Sequence, residues 1–250
     1  MEIDTSRPLV HRFGLARPAG IHGGIAHDLG IAIVGGKYLP GTMLAGEERF
    51  SSDNNVSRGA YREAIRILAA KGLVYSRSKS GTRVSERSSW NMLDLDVLAW
   101  MFEGTPSTEF IRSIFELRSI VEPAAAALSA VRRTGRELAR LGHALEEMER
   151  FGLQTAEGRA ADQAFHYLIL ESTRNEPLVT LSSSIAAAVE WTTLYARQER
   201  SELRDPMPDH HAVYDALVKG DRGAARAKMS ELIDNAFCDT GLEELLLPLA

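Results

Sequence analysis

Residues 40–84, PGTMLAGEERFSSDNNVSRGAYREAIRILAAKGLVYSRSKSGTRV, decide the fold of the N-terminal third of the chain. A Pro40-Gly41 turn and a polar helix lead into Val56-Ser57-Arg58. A second helix over residues 57–71 carries Ala64, Ile65 and Leu68 as an apolar stripe at helical spacing. Gly72 stops it, and the β-prone residues Val74–Arg77 and Arg83-Val84 flank a Lys79-Ser80-Gly81-Thr82 turn. Two helices joined by a turn and followed by a β-hairpin make the pattern of a helix-turn-helix with a wing.

The polar residues of this stretch point to double-stranded DNA. Ser57, Arg58, Tyr61 and Arg62 cluster at the N-terminal end of the second helix, and Arg58 and Arg62, at i and i+4, share one face. A recognition helix presents this end to base edges, where its unpaired N–H groups also favour phosphate. Lys79 and Thr82 add wing contacts. The plainer reading is a solvated helix bearing two surface arginines.

Charge divides the chain in the same place. Residues 1–84 hold 12 Lys/Arg against 7 Asp/Glu, a balance of +5, while the whole chain of 250 residues is at −5, leaving −10 for residues 85–250. A basic module is thus joined to an acidic one. Residues 1–21, with Arg7, Arg12, Arg17 and two prolines, read as a mobile basic arm. A winged helix-turn-helix domain is expected over 22–84, opened by a helix ending at Gly35-Gly36, with a polar, Ser-rich linker at 85–91. No apolar run reaches the roughly 18 residues of a membrane span. The single cysteine, Cys238, excludes an intramolecular disulfide and suits a cytoplasmic location.

Residues 92–245 read as an all-α bundle, with helices expected near 94–103, 107–132, 135–151, 156–173, 176–200, 208–219 and 221–238, separated by Gly, Pro and Asn breakers. On the fourth of these, Asp162 and His166 are i and i+4 and share a face with Phe165 and Ile169. On the sixth, His210 lies on the stripe of Val213, Tyr214 and Leu217, whereas His211 points out. Two imidazoles and a carboxylate converging in a core form a divalent-metal set with open positions. An Asp162–His166 hydrogen bond with His210 merely packed remains the alternative. Arg118 sits in the apolar stripe of Ile111, Ile114, Phe115, Val121 and Ala125, so its guanidinium needs an anion: Glu122 or Asp162, or a ligand carboxylate.

Several of these residues carry a resemblance. Gly36–Gly41, Leu44, Glu47, Val56-Ser57-Arg58, Arg62-Glu63-Ala64 and Lys71–Val74 resemble the N-terminal domain of the GntR superfamily of bacterial transcription regulators. Leu117–Pro123, Asp162 followed by Phe165-His166, Asn175, and His210 before Ala216-Leu217 and Gly220-Asp221 resemble the effector domain of its FadR branch, called FCD. The chain departs from that pattern twice. Glu48 stands where many relatives have a basic residue, and Leu232 stands three residues after Met229, where a third metal-binding histidine is expected.

The resemblance implies a regulator, a repressor working as a homodimer on a near-palindromic operator, with a divalent metal, zinc or another imidazole-tolerant ion, held by Asp162, His166 and His210. The segment Trp90–Trp100 is similar to one in sugar-acid-responsive members of the branch, which implies a sugar acid or another small carboxylate as effector. Arg118 and Asn235 are then the expected polar contacts, and Trp191 and Tyr195 either an apolar wall or ordinary core. Two other classes are weighed against this one. A metal-dependent enzyme lacks any His-Glu-x-x-His pair, nucleophile elbow or phosphate loop in this sequence, and an architectural DNA-binding protein has no use for an acidic bundle with inward polar groups.

Overall fold

The computed structural model describes residues 20–77, 81–199 and 204–242. The chain divides into two compact units, one ending at Pro106 and the other beginning at Ser107. The first unit comprises α1 (Gly20–Val34), α2 (Glu47–Asn54), α3 (Arg58–Ala70), the strands β1 (Val74–Arg77) and β2 (Gly81–Val84), and α4 (Leu95–Glu103). Of the arm expected over 1–21, residues 1–19 lie outside the described residues, and Gly20 and Ile21 belong to α1.

Helix α3 starts where Ser57 caps it, the hydroxyl accepting a hydrogen bond from the Ala60 amide at 3.1 Å. Its buried face is Tyr61, Ala64, Ile65 and Leu68, packed against α1. The antiparallel wing pairs Val74 with Val84 and Ser76 with Thr82. Leu44 N–H donates to the Thr82 carbonyl at 2.9 Å and fastens the chain before α2 to the hairpin. Lys79 lies outside the described residues.

The expected boundary at 85–91 is corrected. Ser85 is buried and its amide donates to Leu73 O at 2.9 Å, while buried Trp90 donates from Nε1 to Ser85 O at 3.1 Å. Asp94 caps α4 and also takes Lys71 Nζ at 2.7 Å. Val97, Leu98, Trp100 and Phe102 of α4 are buried, and α4 packs on α1. Gly30 makes that packing possible: a Cβ there would stand 2.4 Å from the Trp100 ring. The Ser-rich composition suggested a free tether, but two tryptophans and an apolar helix complete the first unit's core and move the boundary to Pro106/Ser107.

The second unit is an all-α bundle: α5 (Thr108–Arg132), α6 (Gly135–Phe151), α7 (Ala156–Glu171), α8 (Glu176–Thr180), α9 (Ser182–Glu199), α10 (Met207–Lys219) and α11 (Arg222–Cys238). Ser107, Thr134, Thr155 and Asp221 cap four of these helices, Thr134 in a capping box with Glu137. The single helix expected over 176–200 is two helices. Around Leu181, the Thr180 and Ser182 hydroxyls donate to the carbonyls of Pro177 and Val179 at 2.6 and 2.7 Å, the local bonding that competes with a regular helix. Helix α5 packs on α11, α7 and α10, and α9 packs on α7, which brings polar residues of four helices to one interior.

Candidate functional site

At the start of α3, Arg58 and Arg62 project into solvent, their side chains 60% and 63% exposed. Neither is idle. Arg58 Nη2 meets Glu48 Oε1 at 2.6 Å, and Arg62 Nε lies 3.5 Å from Glu47 Oε2. Exposed pairs of this kind are worth about 0–1 kcal/mol, so a phosphate or a guanine edge can displace them. Ser57 serves as the helix cap, and half-buried Thr82 shares a 2.9 Å hydrogen bond with Ser76 on the wing. Tyr61 is corrected: it is 3% exposed, stacks on Phe50 with ring centroids 4.4 Å apart, and donates to Ala45 O at 2.6 Å. Burial raises its phenol pKa, with Tyr38 and Glu47 adding to the effect. The signal was present in the sequence, since 61, 64, 65 and 68 form one helical stripe.

In the bundle, α7 supplies Asp162 and His166 and α10 supplies His210, all three buried. One ligand atom of each lies within 4.8 Å of the others. His210 Nε2 is 3.1 Å and His166 Nε2 is 3.5 Å from Asp162 Oδ1. Each ring is oriented through its other nitrogen: His210 Nδ1 meets Pro206 O at 2.9 Å, and His166 Nδ1 meets Glu122 Oε2. That outer support is what metal-binding histidines require, so these residues fit a divalent cation. Leu232 lines the same cavity with an apolar side chain, so a cation here would be held by Asp162, His166 and His210 alone. His211 points outward to Glu149 at 2.6 Å, as its spacing implies.

Charge in this interior is tightly balanced. Burial pushes the Glu122 carboxyl upward, but Arg118 and His166 outweigh it and bring its pKa to about 2. Burial likewise opposes ionisation of Asp162, and hydrogen bonds from His166 and His210 hold it well below the usual carboxylate range. His166 would be lowered by burial, yet Glu122 and Asp162 lift it to about 9. A cation held here would compete with protonation of His166, since a histidine ligand has to be neutral.

The cavity extends from these ligands toward α9 and the start of α10, lined also by Arg118, Thr192, Thr193, Arg197 and Arg204. Arg118 is committed: Nε donates to Glu122 Oε1 at 2.7 Å and Nη1 to Thr192 Oγ1 at 2.9 Å. The internal salt bridge of the sequence reading is thus present, and the guanidinium borders the cavity while anchoring Glu122. Arg197, which the sequence reading passed over, has a buried Nε with no hydrogen-bond partner among the described residues. An orphan donor on a residue that lines the cavity leaves a place for an acceptor from outside the protein, water or ligand. Trp191, Tyr195 and Asn235 do not line the cavity; Trp191 is buried elsewhere, and Asn235 donates to Asp209 Oδ2 at 3.0 Å.

Exposed arginines opening the recognition helix of a winged helix-turn-helix, carried on a chain with a separate all-α unit, define a DNA-binding transcription regulator. Comparison with known proteins narrows this. Residues 22–84 match the model described as bacterial regulatory proteins, gntR family, and residues 113–235 match the FCD domain. The galactonate operon transcriptional repressor of Escherichia coli is 35% identical over 204 residues, 80% of this chain and 88% of that protein. YieP, an uncharacterised helix-turn-helix regulator of the same organism, is 34% identical over 80% of this chain and 87% of its own length. A solved structure of Lar, described as controlling the Listeria monocytogenes agr system, superposes with a TM-score of 0.61 at 20% identity, over 92% of this chain and 100% of that one. The chain belongs to the GntR family of bacterial transcription regulators, with an FCD domain in its C-terminal part. The matched families and these relatives are regulators of transcription, not enzymes. Among the described residues no helix is long and apolar enough to cross a membrane.

Proposed function

We propose that this chain is a cytoplasmic repressor that binds a near-palindromic operator as a homodimer and is released by a small carboxylate held in the bundle cavity beside a divalent metal, zinc by its ligand chemistry. The observation that carries this reading is the juxtaposition, in one cavity, of the Asp162/His166/His210 set and the unpartnered Arg197 Nε. A metal with open positions takes a carboxylate or hydroxyl, a guanidinium takes a carboxylate, and Thr192 and Thr193 suit further hydroxyls. A sugar acid presents this combination of groups, and the galactonate repressor named above is a relative. Coupling follows from linkage: an effector that favours a bundle arrangement unsuited to the two half-sites weakens DNA binding, and DNA weakens effector binding by the same factor.

Titration of operator complexes with sugar acids, with and without zinc, tests this directly. The Arg197→Met variant, which keeps the apolar stem, is expected to bind operator normally and to need about tenfold or more effector for release, because a charge-assisted hydrogen bond is worth roughly 1.5–3 kcal/mol. An unchanged midpoint would remove Arg197 from the site. Failure of every acid tested to shift operator binding, at any metal loading, would overturn the effector reading.

The DNA face has its own test. Arg58→Ala or Arg62→Ala is expected to cost roughly 1–3 kcal/mol of operator affinity with relaxed sequence preference where a base contact is lost, or to weaken all DNA and flatten the salt dependence where a phosphate contact is lost. Unaltered affinity in both variants at fixed salt would displace the recognition surface from the start of α3.

A further inference from the structure

Helix α5 buries one face in the bundle and leaves another without a neighbour among the described residues. Ile120 is 69% and Val131 57% exposed, and between and beside them Leu117, Ala124 and Leu128 are half-buried. With 3.6 residues per turn, all five fall within roughly 40° of one line along the helix, an apolar stripe about 21 Å long. Its rim is polar: Arg112 and Glu116, 3.5 Å apart, lie along one flank and Arg132 along the other.

The order of the residues says what fits there. Leu117 and Val131 stand seven positions on either side of Ala124, and Ile120 and Leu128 four positions on either side. The stripe therefore reads large, large, small, large, large in either direction. A surface with that symmetry is complementary to itself when two copies lie antiparallel, and the smallest residue sits where the twofold axis crosses and the backbones come closest. A twofold interface uses one patch on both subunits, so each residue meets the one mirrored about the axis. We propose that the outer face of α5 pairs with α5 of a second copy of this chain about a twofold axis at Ala124, Leu117 lying beside the partner's Val131 and Ile120 beside the partner's Leu128. This rests on the homodimer reading above and specifies which surface makes the dimer.

Two measurements on the full chain decide it. In Ile120→Glu, light scattering should give the mass of one chain, 27.5 kDa, where the wild type gives twice that, with helical circular dichroism unchanged. In an Ala124→Cys variant that also carries Cys238→Ser, mild oxidation should give a covalent dimer on a non-reducing gel, because a disulfide needs Cα atoms about 4.4–6.8 Å apart and only residues near the axis approach their own copies so closely. Ala160→Cys in the same background, on the exposed face of α7, should give none. If Ile120→Glu does not fold, the cross-link alone decides. A wild-type dimer that survives Ile120→Glu without an Ala124→Cys cross-link overturns this face and leaves the homodimer standing. A monomeric wild type overturns both.

Discussion

Replacing Arg118 by Met is expected to lower stability by about 3–5 kcal/mol, the cost of removing one partner from a buried ion pair. The guanidinium is 2% exposed and Glu122 not at all, and the substitution leaves that carboxylate in the core with His166 as its remaining strong partner. For a chain of this size the melting temperature should fall by roughly 6–20 °C. Thermal unfolding of wild type, Arg118→Met and the double variant Arg118→Met/Glu122→Gln separates the causes. Neutralising the stranded carboxylate should restore much of the loss. A melting temperature unchanged in the single variant would mean that the Arg118–Glu122 pair holds nothing together.

The second large effect is on metal. Zinc affinity is expected to fall beyond detection in a calorimetric titration for Asp162→Ala, His166→Ala and His210→Ala, each of which removes one of three ligands. Glu122→Gln should weaken it by about 10–100-fold, the usual cost of altering the group that orients a metal-binding histidine. His211→Ala should bind as wild type does, since its imidazole faces Glu149 outside the bundle. Equal zinc content in wild type and His210→Ala would show that the three residues form only a hydrogen-bonded cluster.

Much of this was readable in the sequence because helical periodicity marks which residues share a face. Asp162, His166 and His210 each sit on an apolar stripe, and the structure brings them together as that placement requires. Periodicity does not say which neighbour a face meets. Trp191 is buried as an apolar residue should be but does not line the cavity, and Asn235 turns to Asp209 instead of to Asp162, His166 and His210. Glu122 was legible only as a partner for Arg118; that its second oxygen orients His166, 44 positions further on, depends on how α5 crosses α7. Arg197, near the end of α9, has nothing in its spacing to set it apart, and only packing buries its Nε. Tyr61 was misread for the opposite reason. Its hydroxyl suggested DNA, while its position on the Ala64, Ile65, Leu68 stripe already placed it in the core.

The seating of α4 on α1 bears on how such proteins exchange parts. A sensor bundle can be transplanted cleanly only where few interactions cross the join. In this chain that place is Pro106/Ser107, some twenty residues beyond the last strand of the wing. A chimaera spliced at Val84 would separate Trp100 from the groove that Gly30 leaves for it and Glu103 from His27, 2.7 Å away. The heritable DNA-reading cassette is therefore longer than the winged helix, and α4 has to travel with the domain whose core it completes.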